Sequence, residues 1–343
     1  MSYGQPNPDK AHFLGMKAIQ EMESGNIKES IKLLQEAEKL DPGNPDYPYE
    51  IAYAHYLDAK YKKSIKILTD LTEHEHASAR IWQMLGNCHD MNGDPAKAIE
   101  IYETGLQKFP NSGILYLERG NMEIVKKNYS EALAFYENGI LVDPVFPSNY
   151  YWASRLYLSG SESMWGIIYG EIFMNLERNS KRTVEISNLL YRAYDEGISI
   201  TSDTSATISF CQQMTMNISD TNDIEKIKLP YCMVYEPVML ISLVSVDEIT
   251  LSSLNKIRTN FIKIYFEQGH NNDYPNVLFD YQDRIKNEGH LEAYNHWILM
   301  KGDEAGFGKW QQSNEDKWKA FVSWFTENPI QINETNKFHT SQF

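Results

Sequence analysis

No stretch of this chain is long and apolar enough to span a bilayer. The longest apolar run, Val238–Val246, is interrupted by Ser242 and Ser245, and a spanning helix needs about 18 apolar residues or more. Cysteine is scarce too. Cys88, Cys211 and Cys232 are too few and too scattered for a disulfide framework, no two form a C-x-x-C pair, and the odd count favours reduced thiols. Positive charge is also in short supply, with 32 Lys and Arg against 47 Asp and Glu. The deficit is spread evenly: 17 basic and 25 acidic residues up to Arg178, then 15 and 22 after it. Such a chain repels a phosphate backbone at long range, and no basic block offsets this locally, so nucleic acid is not an expected partner.

The motifs that carry chemistry are missing as well. No Gly-rich loop ends in Lys-Ser/Thr, and no Gly-x-Gly-x-x-Gly follows a strand. Gly302–Gly308 is the nearest glycine cluster and reads as a linker between helices. His74-Glu75-His76 is the one tight histidine pair, and its place fits a solvated turn. His290 and His296 are six apart and do not face each other on a helix. No serine sits in a Gly-x-Ser-x-Gly elbow. Cys88, beside Gly86, reads as a small buried residue. Trp297, Trp310, Trp318 and Trp324 are spaced as core residues of amphipathic helices, with a ligand cage as the alternative. No catalytic residue, metal site or cofactor is expected.

What the chain does have is a period. Trp82-x-x-Leu85-Gly86-x-x-His89, with Ala98, Tyr102, Gly105 and Pro110, recurs 34 residues later as Tyr116-x-x-Arg119-Gly120-x-x-Glu123, with Ala132, Tyr136, Gly139 and Pro144. The same frame fits Leu14, Ala18, Ser30, Leu34, Ala37 and Pro42, and then Ile51, Ala52, Ser64, Leu68 and Leu71, where His76 replaces the proline. Ala18, Ala52, Gly86 and Gly120 leave room for a second helix, and Ala98 and Ala132 are the reciprocal small residues on that helix. Gly25-Asn26, Asn92-Gly93-Asp94 and Lys127-Asn128 are turn chemistry between paired helices. Asp94-Pro95 starts a helix, while Asp41-Pro42 and Asp143-Pro144 end theirs. Pro147–Ser180 continues in frame as an altered fifth unit, with Tyr150, Ala153, Ser154 and Gly160, then Gly166, Gly170 and Phe173.

Period, small residues and terminal proline recurring together resemble the tetratricopeptide repeat, over residues 11–146. The fold class implied is mainly all-α: a superhelix of helix pairs over 11–180, four clear and one degenerate, after a flexible 1–10. Beyond it, residues 181–328 read as mostly helical, without the period. Alternating Ile198–Ser202 and Ala206–Cys211 read as a small β-hairpin within 198–211. Asp220–Lys228 reads as a polar connector, and helical spacing returns over Tyr235–Val246, Leu251–Gln268, Tyr274–Asn287, His290–Lys301 and Glu315–Thr326. Residues 329–343 are polar and read as a flexible tail. This second half resembles the trailing regions of bacterial tetratricopeptide-containing proteins of unassigned role.

The family's geometry places a binding groove on the first helix of each pair. Carried over, that implies Tyr49, Tyr53 and Tyr56, then Arg80, Gln83, Asn87 and Asp90, then Leu117, Asn121 and Ile124, and last Tyr151, Arg155 and Leu158. Tyrosines beside amide and guanidinium donors suit a peptide, although each tyrosine has packing against a neighbouring helix as its alternative. Asn87 and Asn121 match the asparagines of a subtype that clamps acidic tails, but Gln83 and Leu117 stand where that clamp needs basic side chains. The expected function is a non-enzymatic scaffold holding a protein or peptide partner. Two alternatives stand beside it: an enzyme with an unrecognised site in 181–330 that uses the repeats as a docking arm, and a structural subunit self-associating through the hairpin edge. Ser2-Tyr3-Gly4-Gln5 before Pro6-Asn7-Pro8 has the polar character of a mature start, so a soluble chain is expected, cytoplasmic or exported with its leader already removed.

Overall fold

The computed structural model describes residues 6–202, 205–212 and 229–343. These form two compact units, Met1–Phe135 and Tyr136–Phe343, so the division falls earlier than the end of the repeats near residue 180.

The first unit is a run of helix pairs: α1 (Pro8–Glu23) with α2 (Ile27–Leu40), α3 (Asp46–Leu57) with α4 (Tyr61–Leu71), α5 (Ala79–Met91) with α6 (Pro95–Lys108), then α7 (Gly113–Val125) and the start of α8 (Tyr129–Val142). The 34-residue period is visible in the backbone itself. Gly25, Ala59, Gly93 and Lys127 all have positive φ, at 82°, 53°, 89° and 62°. Each lets the following amide reach back to a carbonyl of the first helix: Asn26 to Glu21, Lys60 to His55, Asp94 to His89 and Asn128 to Glu123. Glycine is the easy occupant of that conformation, and Ala59 and Lys127 hold it without that help. Packing follows the same register. Ser30, Ser64, Ala98 and Ala132 are fully buried, and the Ser64 hydroxyl donates to the Ala52 carbonyl at 2.8 Å. A Cβ on Gly86 would lie 2.1 Å from the Tyr102 ring, which is why only glycine fits there. Cys88 is buried as expected, with Sγ 3.1 Å from the Ser64 hydroxyl. Residues just before 11 are not loose: Asn7 caps α1, donates its amide to the Leu40 carbonyl, and places the helix start before residue 11.

The second unit opens with the rest of α8, then the fifth pair, α9 (Pro147–Leu158) and α10 (Ser163–Leu176), followed by α11 (Lys181–Gly197). Its small residues have exchanged places: Ser154 and Gly166 stand where glycine and alanine stood before, and the Ser154 hydroxyl donates to the Gly166 carbonyl at 2.7 Å. The expected hairpin is present, β1 (Ile198–Ser202) antiparallel to β2 (Ser205–Ile208), pairing Ile198 with Ile208. Then come α12 (Cys232–Ile241), α13 (Leu251–Glu267), α14 (His270–Asp273), α15 (Val277–Asn287), α16 (Leu291–Leu299), α17 (Glu304–Ser313) and α18 (Glu315–Glu327). The connector at 220–228 lies outside the described residues.

Four expectations are corrected here. The helix read over Tyr235–Val246 begins three residues earlier, at Cys232, and ends at Ile241 with Pro237 inside it. The glycine cluster at 302–308 is no linker, because Asp303 caps α17 by accepting from the Gly306 amide at 2.8 Å. Cys211 and Cys232 are not reduced thiols but a disulfide, their Cα atoms 6.4 Å apart where the end of the hairpin meets the first turn of α12. Spacing in sequence carries no trace of that proximity. Last, residues 329–343 are not a loose tail. Ile330, Ile332, Phe338 and His339 are buried, and the Lys337 ammonium donates to the Leu141 carbonyl at 2.7 Å.

The disulfide closes a loop across a sequence separation of 21 residues, so its removal loosens the unfolded chain. A Cys211→Ser, Cys232→Ser variant is expected to lose about 2–4 kcal/mol, seen as an earlier urea midpoint that a dithiol no longer shifts. Identical midpoints for variant and parent would contradict this.

Candidate functional site

In the first unit, α5 packs beside both α3 and α7, so the first helices of successive pairs are neighbours. Their shared face carries most of the expected residues. Tyr53 and Tyr56 are half-buried, one helical turn apart, with ring centroids 6.4 Å apart and planes within 14°. Tyr61 meets Tyr56 edge-on at 5.6 Å. Leu117 and Ile124 are half-buried on α7, and Asp90 is exposed at the end of α5.

The centre of this face is a residue the sequence did not single out. Glu118 accepts from the Gln83 amide at 2.7 Å and the Asn87 amide at 3.4 Å through Oε1, and from the Asn121 amide at 3.1 Å through Oε2. Asn87 is engaged at its other end as well, where its oxygen accepts from the Tyr102 hydroxyl. Burial pushes the Tyr102 hydroxyl well above its ordinary range, and the charges of Glu118 and then Asp90 push it further. The Tyr56 hydroxyl is raised too, by burial first, with Glu118 among the lesser causes. The two asparagines that match an anion clamp are therefore committed to a carboxylate of the chain itself. The only signal for Glu118 was its place beside Leu117, at a position not among those the family's geometry assigns to the groove.

Two of the expected tyrosines serve packing instead. Tyr49 is 7% exposed, in the core with Ala52, Leu68, Ile81 and Leu85, and the Arg80 guanidinium lies 4.5 Å over its ring. Tyr151 is 6% exposed and donates to Glu185 of α11 at 2.6 Å. Both rings are large apolar bodies at helix–helix contacts, where burial outweighs display. Arg80 itself is exposed, 3.8 Å from Glu50. In the second unit Arg155 pairs with Glu185 at 3.0 Å, and Leu158 packs on Gly166.

The second unit has its own polar centre, which is closed. Arg258 of α13 makes a two-armed ion pair with Glu171 of α10, with Nη2 to Oε2 at 2.8 Å. Gln282 of α15 donates to the same carboxylate at 2.7 Å, and Arg258 also donates to Tyr194 of α11 at 2.8 Å and Asn295 of α16 at 2.9 Å. The cavity beside it, lined by Tyr235, Phe261 and Phe279 among others, has about 10 Å³ for the centre of a water molecule, room for one water and no substrate. Cys211, Cys232 and Glu236 bring donor atoms within 4.8 Å, but the sulfurs are bonded to each other and Glu236 accepts the amides of Phe210 and Cys211 at 2.7 and 3.0 Å. His74-Glu75-His76 lies in a turn, with His76 and Glu75 exposed. Trp297 is a core residue, buried against Phe325 at 4.8 Å, and Trp310 is half-buried, stacked on His296 at 4.1 Å.

Stacked helix pairs with a 34-residue backbone period define a helical repeat protein. Two profiles of the tetratricopeptide repeat match the chain, over residues 21–88 and 79–122, so that stretch carries tetratricopeptide repeats. No curated protein sequence matches the chain. Among solved structures, it is similar to a thermophilic tetratricopeptide protein of Thermus thermophilus, with 14% identity over 52% of this chain and 98% of that one, at a TM-score of 0.44. It is similar also to MamA of Desulfovibrio magneticus, with 13% identity over 52% of this chain and 99% of that one, at a TM-score of 0.37. Repeats of this kind support a protein–protein interaction role. No described helix is long and apolar enough to cross a membrane.

Proposed function

We propose that the first unit holds a peptide or helical segment of a partner protein on the face of α3, α5 and α7. The observation that carries this reading is the cross-repeat cluster itself. Gln83, Asn87, Glu118 and Asn121 from successive pairs are tied together and half-buried, beside the Tyr53–Tyr56 pair. Rigid aromatic surface next to fixed polar groups is what protein interfaces use for their central contacts. A Tyr53→Ala, Tyr56→Ala variant is expected to bind a partner recovered by crosslinking at least about tenfold more weakly. A Lys66→Ala, Gln107→Ala variant, altered on the second helices α4 and α6, is expected to bind as the parent does. Equal affinities for both variants would remove the reading.

A further inference from the structure

We propose that the bound segment presents an arginine to the centre of this face, where Glu118 receives it. The proposal rests on the reading of α3, α5 and α7 as the binding face and adds the chemistry that occupies it.

Glu118 is a half-buried carboxylate whose hydrogen-bond donors are all neutral amides, those of Gln83, Asn87 and Asn121. Among the described residues no lysine or arginine lies within ion-pair distance of Glu118 or of Asp90. The one basic side chain of the expected set in this unit, Arg80, is committed to the Tyr49 ring and Glu50. Two carboxylates therefore act on the same region without a counter-charge, and both raise the Tyr102 hydroxyl. Charged donors bind a carboxylate roughly twice as strongly as neutral ones, and a guanidinium does so with two parallel N–H groups. The near-parallel Tyr53 and Tyr56 rings offer the flat faces on which a guanidinium, more than an ammonium, stacks. An acidic segment meets the opposite situation. Its carboxylates would face Glu118 and Asp90, and the Asn87 and Asn121 amide groups that could hold them already donate to Glu118.

The test is fluorescence anisotropy of the full chain with three labelled peptide pools of equal length and equal apolar content, carrying arginine, lysine or glutamate. The arginine pool is expected to bind saturably, several-fold more tightly than the lysine pool, with affinity falling as salt rises. Glu118→Gln is expected to weaken it about tenfold, and the exposed Asp90→Asn about threefold. Asp90→Asn carries the test should Glu118→Gln lower the melting temperature. Tighter binding of the glutamate pool, no saturable binding of the arginine pool, or arginine binding that Tyr53→Ala, Tyr56→Ala abolishes but both acid variants leave unchanged would each overturn the proposal. The last outcome would leave the binding face itself intact. Binding that neither the tyrosine nor the acid variants alter would count against the face as well.

Discussion

Arg258→Ala is expected to lower the stability of the second unit by about 3–5 kcal/mol, because it leaves Glu171 buried without its cation. Glu171 is 1% exposed and Arg258 5%, so water cannot replace the lost partner. The damage would spread, since α10, α11, α13, α15 and α16 each contribute a side chain to the cluster. Replacing both charges, Glu171→Met with Arg258→Met, is expected to recover much of the loss, since two apolar side chains need no counter-charge. Urea unfolding followed by tryptophan fluorescence reads this well. Six of the seven tryptophans, all but Trp82, lie in the second unit. A loss below about 1 kcal/mol for Arg258→Ala would mean the cluster is not the keystone its burial indicates.

Phe338→Ala is expected to cost about 3–5 kcal/mol by the same measurement, the usual range for emptying a buried aromatic site. Phe338 is fully buried, with its ring 5.4 Å from Tyr231 and 5.8 Å from Trp165. Polar contacts hold the segment alongside. The His339 Nε2 atom lies 2.8 Å from the Glu137 carboxylate, and the Thr340 hydroxyl donates to it at 2.9 Å. That carboxylate also accepts from Tyr157 at 2.7 Å and Tyr169 at 2.9 Å. The variant is therefore also expected to be cut by protease after residue 328 far faster than the parent. Unchanged stability and unchanged cleavage would restore the flexible tail.

The repeats were legible because their physics is local and recurs. Small residues at 18, 52 and 86, turn residues at 25 and 93, and Asp94-Pro95 each state a backbone or packing need within one helix pair. The second unit was less legible because its determinants are distant in sequence. Nothing near Cys211 points to Cys232, nothing near Glu171 points to Arg258, and Phe338 is one aromatic residue in a polar stretch until Tyr231 and Trp165 are brought beside it. Asp303 caps α17, and the glycines on either side of it give that stretch the look of a linker. At the candidate site, the family's geometry gave Gln83, Asn87 and Asn121 and missed the acid that ties them together, since an alternation of amides and one glutamate has no meaning until α5 and α7 are side by side.

The central claim is that a partner segment lies on the face of α3, α5 and α7, with a cationic side chain at Glu118. Replacing Tyr56 with a photoreactive amino acid, crosslinking to the partner and sequencing the attached peptide tests it directly, with the same label at Lys66 on α4 as control. One dominant peptide is expected from position 56, with an arginine within a helical turn of the crosslink, and little product from position 66. Equal products from both positions, or an acidic segment at position 56, would contradict the claim.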